Sequence, residues 1–286
     1  MTVLEVIQRS TEWLTRKGVE SPRLQTELLL AHLLRLPRMQ LYLNFERQLT
    51  GPEQQAFREL IQRRGAREPL QHIVGSTNFC GLEIAVSRAA LVPRPETELL
   101  AERGWQFLNA VPAEPPKPPT ALDFGTGTGC LALAVASHCA TAEIHALDIS
   151  ADALALARQN ADRLGLAARV LFLHGDGWAA LSPGSRFHLI LSNPPYIPDE
   201  EIATLEPEVR DHDPREALAG GPDGLDYYRR LAAGAGPFLE PGGRIMLEFG
   251  DGQADSVRAI FQEQNWVVES VVEDYNRRPR ILIAHG

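Results

Sequence analysis

The chain has 286 residues, of which 44% are hydrophobic and 23% are charged, and its formal net charge is −9. Because domains usually have ~100–200 residues, this length predicts one large domain and a smaller one. No run of ~18 uncharged apolar residues occurs, which excludes a transmembrane helix. The acidic balance argues against a general nucleic-acid binder, since such binding depends on Lys and Arg neutralising phosphates.

The first 18 residues mix charged and apolar side chains at helical spacing and so lack the continuous apolar stretch of a secretory signal. We therefore expect a cytoplasmic protein. The three cysteines, Cys80, Cys130 and Cys139, show no CxxC spacing, so the sequence predicts neither a disulfide framework nor a metal site.

Residues 3 to about 65 repeat apolar side chains every three or four positions, which is typical of amphipathic helices. Ser21-Pro22 and Thr50-Gly51-Pro52 each place a capping hydroxyl before a first-turn proline and predict two helix starts. The basic run 58–67 (RELIQRRGAR) has two interpretations, a local phosphate-binding face or a solvated helix face. The second is favoured because charge runs usually lie on solvated faces.

Between the N-terminal helices and the strand that begins at residue 120, three segments with different predicted structures follow one another. In 70–86, the runs QHIVG and FCGLEIAV are rich in β-branched and aromatic residues and predict a β-hairpin. In 91–100 (LVPRPETELL), two prolines forbid a ladder and precede a helix that is expected to reach about Ala110. Residues 111–119 (VPAEPPKPP) predict a proline-rich linker.

From residue 120 onward, short apolar runs alternate with helical segments, which predicts a parallel, doubly wound α/β sheet. The predicted strands are TALDF (120–124), AEIHALD (142–148), RVLFLH (169–174), HLILS (188–192), RIMLEF (244–249), WVVESVV (266–272) and RILIA (280–284). The last two strands are joined by only seven residues, EDYNRRP, too few for a parallel crossover. We therefore expect them to pair antiparallel.

A glycine-rich loop, DFGTGTG (123–129), follows the first of these strands, where open α/β sheets bind ligands. A dinucleotide fingerprint is G-x-G-x-x-G, whereas here the third glycine, Gly129, comes one residue earlier, which disfavours a pyrophosphate. The spacing with an acid two residues ahead resembles the loop that holds the methionine part of S-adenosylmethionine. A helix-start turn without a ligand is the alternative.

The second and third strands end in residues that suit a nucleoside. Asp148 is placed to accept from both ribose hydroxyls, or alternatively to cap the helix that starts near Ser150. Asp176 is placed to accept from an adenine amino group, and the Gly177 N–H to donate to the ring. Trp178 either flanks the adenine or packs in the core.

The fourth strand runs into the tetrapeptide Asn193-Pro194-Pro195-Tyr196, at the sheet edge that carries the glycine loop. An amide nitrogen is a poor nucleophile because its lone pair is delocalised, so an enzyme has to align it toward the methyl group. The Asn193 side-chain oxygen and the Pro194 carbonyl are suitable acceptors for its N–H bonds, and Tyr196 offers a ring for stacking. An ordinary strand-ending turn is the structural alternative.

The chain resembles the protein-(glutamine-N5) methyltransferase family, in the branch that acts on peptide chain release factors. The resemblance covers nearly the whole chain. It rests on the segments REPLQHIVGSTNFCGLEIAV (67–86), LVPRPETELL (91–100), LDFGTGTG (122–129), SNPPYIP (192–198) and EVRDHDPREALAGGPDGLDYYRRL (208–231). Phe124 departs from the Leu usual in the family, and Gly177 stands where some members carry an aromatic residue.

The resemblance implies a class I methyltransferase fold, a doubly wound sheet with an antiparallel last strand. It also implies three regions: a helical substrate-docking domain (1–68), a β-hairpin connector with a helix and the proline-rich linker (69–119), and an S-adenosylmethionine-dependent methyltransferase domain (120–286). We expect a cytoplasmic monomer without a bound metal, with no direct contact to nucleic acid or membrane.

The implied reaction is methyl transfer from S-adenosylmethionine to the glutamine of the Gly-Gly-Gln motif of release factors. The residues implied to bind the cofactor are Gly125, Thr126, Gly127, Thr128, Gly129, Asp148, Asp176, Gly177 and Asn193. Those implied to bind the glutamine are Asn193, Pro194, Pro195 and Tyr196, of which Asn193, Pro194 and Tyr196 would be catalytic.

Several alternatives stay open at this point. Arg94 and Glu96 of the PRPETE segment line the cofactor cleft or only begin a helix, and residues 208–224 close over a substrate or only connect elements at the surface. Competing functions are a ribosomal-protein glutamine methyltransferase, a nucleic-acid adenine or guanine methyltransferase and a non-catalytic cofactor-binding regulator. A base-modifying enzyme predicts a basic cleft.

Overall fold

The computed structural model describes residues 1–112 and 118–286, so residues 113–117 of the predicted linker lie outside the described chain. Two compact units are present: Met1–Ser76 with Glu206–His212, and Thr77–Leu205 with Asp213–Gly286. The boundaries at 68 and 119 stay a prediction. In the described ranges, no helix is both long enough and apolar enough to cross a membrane.

The first unit is helical. Its helices are α1 (Val3–Arg16), α2 (Pro22–Leu34), α3 (Arg38–Leu43), α4 (Gly51–Gly65), α5 (Leu70–Val74) and the short α9 (Pro207–Arg210). Thr50 begins α4 as predicted, because its hydroxyl accepts from the Glu53 N–H at 3.3 Å and the Glu53 carboxylate accepts from the Thr50 N–H at 2.8 Å. Pro22 does begin α2, but the expected Ser21 cap is wrong: that hydroxyl makes no capping bond, and Ser21 has a φ of 47°.

The core of the first unit is formed mainly by buried residues of its three long helices, α1, α2 and α4. The resulting core includes Val3, Val6, Ile7, Leu14, Leu29, Leu30, Leu41, Phe57 and Ile61. Trp13 packs directly over Gly65, and a Cβ at that position would overlap the indole ring. A small residue at 65 thus permits close contact between α1 and α4.

The basic run 58–67 behaves differently from either interpretation made from sequence. Arg58 is exposed, but Arg64 is buried and its guanidinium contacts the Glu208 carboxylate at 2.5 Å. Arg67 pairs with Glu206 at 2.5 Å and with Glu208 at 2.6 Å. These charges are neutralised within the first unit, so they do not form a free phosphate-binding face.

The predicted hairpin is present but shorter than expected, with β1 at Ser76–Phe79 and β2 at Leu82–Ala85. The expectation of a strand over QHIV was wrong, because these residues form α5. Pro69 precedes that helix, and Gly75, with a φ of 87°, ends it. β propensity in so short a run was overridden by these local start and stop signals.

The second unit contains a seven-stranded sheet in the order β5-β4-β3-β6-β7-β9-β8. The strands are β3 (Thr120–Phe124), β4 (Glu143–Asp148), β5 (Val170–His174), β6 (Phe187–Ser192), β7 (Leu239–Glu248), β8 (Val267–Glu273) and β9 (Pro279–His285). The helices are α6 (Thr97–Ala110), α7 (Cys130–His138), α8 (Ala151–Arg163), α10 (Asp226–Gly234) and α11 (Ala254–Glu263). β9 pairs antiparallel with both β7 and β8, as predicted.

The order of the strands reverses at β3, which pairs in parallel with β4 on one side and with β6 on the other. Such a reversal opens a crevice at the carboxyl ends of the two central strands. The glycine loop follows β3 and the Asn193–Tyr196 tetrapeptide follows β6. The topology therefore places both sequence motifs at one edge of the sheet.

Replacing Asn160 with Ala should destabilise the second unit by roughly 2–4 kcal/mol, since buried backbone groups would lose their partners. Fully buried Asn160 accepts from the Ala85 N–H at 2.7 Å and donates to the carbonyls of Ala85 and Thr128, both at 3.0 Å. Urea unfolding measures the loss. Asn109→Ala, which removes an exposed bond to the His138 carbonyl, is the control, and equal losses in both variants would contradict this account.

Candidate active site

A cavity of about 610 Å³ lies in the second unit and suits a cofactor-sized ligand. Its lining includes ten of the predicted site residues: Gly125, Thr126, Gly127, Thr128, Asp148, Asp176, Gly177, Asn193, Pro194 and Pro195. Gly129 and Tyr196 are not among the described lining residues. Most of the predicted residues are thus brought together in one cavity.

The glycine loop is anchored by a buried carboxylate. Asp123 accepts from the Thr126 hydroxyl at 2.6 Å and from the Ala132 N–H at 3.1 Å, which ties the loop to the first turn of α7. Gly125 and Gly127 have φ values of 79° and 55°, in a region that favours glycine. The loop is therefore held in shape before any ligand arrives.

Gly129 serves a different purpose from the other loop glycines. With a φ of 81°, it precedes α7, and a Cβ there would lie 3.0 Å from the Ala157 Cβ of α8. Its lack of a side chain lets α7 and α8 approach each other. The prediction that Gly129 contacts the cofactor remains untested.

Asp148 links the loop to the next helix. Its carboxylate accepts from the Gly127 N–H at 2.8 Å and from the Ser150 N–H at 2.9 Å. The cap of α8 is supplied by Ser150, whose hydroxyl accepts from the Ala153 N–H at 3.2 Å. Asp148 is therefore not needed to cap that helix directly, and it lines the cavity.

Arg230 lies at the end of the cavity where an adenine was expected. Its guanidinium contacts the Asp176 carboxylate at 2.6 Å, and a Cβ at Gly177 would overlap it. Trp178 is not among the lining residues; its ring lies 4.6 Å from that of Phe124 and 5.3 Å from that of Phe238, centroid to centroid. Of the two interpretations of Trp178, the structure favours core packing.

Three hydrogen bonds, to Phe124, Thr97 and Gln253, hold the tetrapeptide and the residue before it. The Ser192 hydroxyl donates to the Phe124 carbonyl at 2.6 Å, joining the ends of β6 and β3. The Asn193 Nδ2 donates to the Thr97 Oγ1 at 3.1 Å. The Tyr196 carbonyl accepts from the Gln253 Nε2 at 2.9 Å. These bonds fix both ends of the segment.

The PRPETE segment both lines the cavity and begins a helix, so its two interpretations hold together. Arg94 lines the cavity and contacts the buried Asp213 carboxylate at 2.7 Å. Pro214, Glu216 and Ala217 follow Asp213 and also line the cavity. Of the predicted closing segment 208–224, the stretch 213–217 therefore borders the site, while 208–212 belongs to the first unit.

Burial dominates the electrostatics of the site. It raises the pKa of Asp123 to about 7, and hydrogen bonds from Thr126 and Ala132 offset only part of this shift. It likewise raises the pKa of Glu248 to about 7, against a hydrogen bond from Thr97. Burial raises the pKa of Tyr196 to about 12, so its hydroxyl is neutral at physiological pH.

The residues that sequence reasoning missed are Thr97, Arg230, Glu248 and Gln253. Thr97 begins α6, Arg230 lies in α10, Glu248 ends β7 and Gln253 precedes α11. Each contacts a residue far along the chain, so no local pattern marks it. The acids at Asp148 and Asp176 were found because they end successive strands.

The residues around the cavity fit S-adenosylmethionine. Glycines with positive φ border the cavity, and two carboxylates at strand ends, Asp148 and Asp176, lie where the ribose and the adenine would be expected. Across residues 1–112 and 118–286, no group of His, Cys, Asp and Glu is arranged to hold a metal ion.

Comparison with family models matches two regions of the chain. Residues 5–75 match the PrmC N-terminal domain model, and residues 104–206 match the methyltransferase small domain model. The release factor glutamine methyltransferase of Geobacter sulfurreducens is 41% identical over 98% of this chain and 95% of its own length. That of Deinococcus radiodurans is also 41% identical, over 99% of this chain and 98% of its own length.

The chain belongs to the release factor glutamine methyltransferase family. It is therefore an S-adenosylmethionine-dependent methyltransferase, as predicted. Solved structures show the same fold at low identity. The human METTL16 catalytic domain in complex with the MAT2A 3′UTR hairpin 1 has a TM-score of 0.56 at 14% identity, covering 83% of this chain and 81% of its own. A Pyrococcus furiosus methyltransferase has a TM-score of 0.51 at 18% identity, covering 71% of this chain and 88% of its own.

The raised pKa of Asp123 predicts a dependence of stability on pH. Between about pH 4 and pH 7 the folded chain keeps a proton on Asp123 that the unfolded chain has lost, so this group's contribution to stability falls as the pH rises. Relative to Asp123→Asn, the wild-type free energy of unfolding should decrease by on the order of a few kcal/mol across this window. Urea unfolding of both proteins at pH 5, 6, 7 and 8 measures it, and a constant difference would contradict burial as the cause.

Proposed function

We propose that this protein transfers a methyl group from S-adenosylmethionine to the side-chain amide nitrogen of the glutamine in the Gly-Gly-Gln motif of peptide chain release factors. The observation that carries the proposal is the tetrapeptide after β6, held beside the glycine loop by the Ser192 to Phe124 hydrogen bond. The names of relatives at 41% identity support the substrate class.

The cofactor would be held by the residues around the cavity. Gly125 to Thr128 would border its methionine part, Asp148 its ribose, and Asp176 with Gly177 its adenine. When bound, S-adenosylmethionine supplies a methyl group already activated by its sulfonium. Arg230 contacts Asp176 in the structure and would have to share that carboxylate with an adenine amino group.

The tetrapeptide performs the alignment. The two N–H bonds of the substrate amide would donate to the Asn193 side-chain oxygen and the Pro194 carbonyl, which would hold the plane of the amide so that one face of its nitrogen is presented to the methyl group. Pro195 has no N–H with which to compete for those acceptors. Pro194 is buried and Asn193 half-buried, so the acceptors are already partly removed from water.

Tyr196 would contact the flat face of the amide. Its ring lies beside Gly250, where a Cβ would come within 2.9 Å of the Tyr196 Cδ2. Gly250 N–H donates to the Gln253 side chain at 2.9 Å, and the same side chain donates to the Tyr196 carbonyl. The backbone that carries the ring is thereby fixed.

Asn193→Ala should lower methyl transfer to a purified release factor by ~100-fold or more, because one of two aligning acceptors is lost. The readout is label transferred from radioactive S-adenosylmethionine. Affinity for S-adenosylhomocysteine, measured by calorimetry, should be reduced but measurable. Asn109→Ala, an exposed change of the same type on α6, is the matched control and should transfer normally.

The position of the label separates the competing functions. We expect it on the Gly-Gly-Gln glutamine and not on a release factor in which that glutamine is replaced. Label on ribosomal proteins alone would favour the related protein substrate, and label on an adenine or guanine would reject a protein substrate. Full activity of Asn193→Ala would reject the alignment mechanism.

Asp148→Asn should weaken binding of S-adenosylhomocysteine by about 10-fold, because an amide cannot accept from two ribose hydroxyls while also bonding the Gly127 and Ser150 N–H groups. Isothermal calorimetry measures the dissociation constant. Glu143→Gln, at the other end of β4, is the control and should bind as the wild type does. An unchanged constant in Asp148→Asn would exclude the ribose contact.

A release factor is the protein partner, the helical unit is its docking module, and the enzyme acts as a monomer in the cytoplasm. Three of the four arginines of 58–67, Arg63, Arg64 and Arg67, are engaged with Glu68, Glu206 and Glu208, which gives no support to a phosphate-binding role.

A further inference from the structure

The orientation of the Asn193 carboxamide is not determined by Asn193 itself. Its oxygen and nitrogen are nearly the same size, so a half-turn of the amide exchanges an acceptor for a donor. In the wrong orientation, the amide would present N–H groups to the N–H groups of a substrate. Something outside the tetrapeptide has to select the orientation.

Thr97, the first residue of α6, contacts Asn193. Its side chain is buried, and its Oγ1 accepts from the Asn193 Nδ2 at 3.1 Å. A hydroxyl is both a donor and an acceptor, so Thr97 alone would tolerate either orientation of the amide. The direction of its O–H bond decides which one is favoured.

Glu248 supplies that direction. It ends β7 with 3% of its surface exposed, and its Oε2 has no hydrogen-bond partner among the described residues. The Thr97 hydroxyl forms a hydrogen bond that lowers the pKa of this carboxyl. An ionised carboxylate only accepts, so the Thr97 O–H donates its hydrogen bond to Glu248 and the Thr97 oxygen is left to accept from Asn193.

We propose that Thr97 and Glu248 are positioning residues for methyl transfer: ionised Glu248 orients the Thr97 hydroxyl, which in turn holds the Asn193 carboxamide with its oxygen toward the substrate amide. The proposal rests on the proposed role of Asn193. A protonated Glu248 would donate to Thr97 and permit the reversed chain, in which Thr97 donates to the Asn193 oxygen.

The charge on Glu248 depends on all the groups around it. Its pKa is raised to about 7, chiefly by burial and also by Glu96, while Thr97, Arg280 and Arg94 act to lower it. Two phenols that burial keeps neutral, those of Tyr196 and Tyr228, also lie near Glu248. The Tyr228 hydroxyl donates to the Glu248 backbone carbonyl at 3.0 Å. The turnover number should therefore rise as the pH increases through about 7 and then level off.

The test is the pH profile of the turnover number, from pH 5.5 to 9, for release factor methylation. Thr97→Val keeps the shape of the side chain but removes the hydroxyl, and it should lower the turnover number by ~10–100-fold and abolish the step near pH 7. Thr97→Ser should restore both. Glu248→Gln should abolish the step, because an amide does not titrate.

Further measurements exclude other causes. Thr26→Val makes the same change at a buried threonine of the helical unit and should leave the profile as in the wild type. Melting temperatures and S-adenosylhomocysteine affinities show whether any loss comes from unfolding or from poor cofactor binding.

A Thr97→Val enzyme with wild-type turnover and an unaltered pH step would overturn the proposal, even if Asn193→Ala is inactive. A step that survives in Glu248→Gln would also overturn it. If Asn193→Ala retains full activity, the proposed function of the tetrapeptide fails first, so the two failures are distinguishable.

Discussion

The site depends on the alignment of two neighbouring parallel strands, β3 and β6, which end side by side where the order of the sheet reverses. The hydrogen bond from the Ser192 hydroxyl to the Phe124 carbonyl joins their last residues and adds to the register of the ladder. Because the glycine loop continues β3 and the Asn193–Tyr196 tetrapeptide continues β6, this one junction sets the distance between the two motifs. A one-residue shift would also turn every inward side chain outward.

Around this junction, acceptor atoms are held in place before a substrate binds. Asp123 and Asp148 bind backbone and hydroxyl donors of the glycine loop, Thr97 holds Asn193, and Gln253 holds the Tyr196 carbonyl. Such preorganisation is worth most where water is excluded, because the groups need not reorient during the reaction. The same burial raises the pKa of Asp123 and of Glu248, so the geometry is accompanied by sensitivity to pH.

The parts of the structure that are encoded locally could be predicted from the sequence. The alternation of strands and helices predicted the sheet and its antiparallel end, and strand-end positions predicted Asp148 and Asp176 in the cavity. Prediction failed over QHIV, where a preceding proline and a following glycine outweighed β propensity. It could not find Thr97, which meets Asn193 across 96 residues of chain, or Arg230, whose contact with Asp176 spans 54. It also left Arg64 as a surface charge, because Glu208 neutralises it from a distant segment.

The segment Glu206–His212 is grouped with the helical unit although the chain on both sides of it belongs to the methyltransferase unit. Arg64 and Arg67 bind Glu206 and Glu208, so the surface of the helical unit is completed by residues encoded far downstream. Residues 1–76 alone therefore do not make up the whole helical unit. A chimera that exchanged only residues 1–76 would leave two carboxylates facing a foreign surface, and recombination between relatives would have to carry both stretches together to keep the arginines paired.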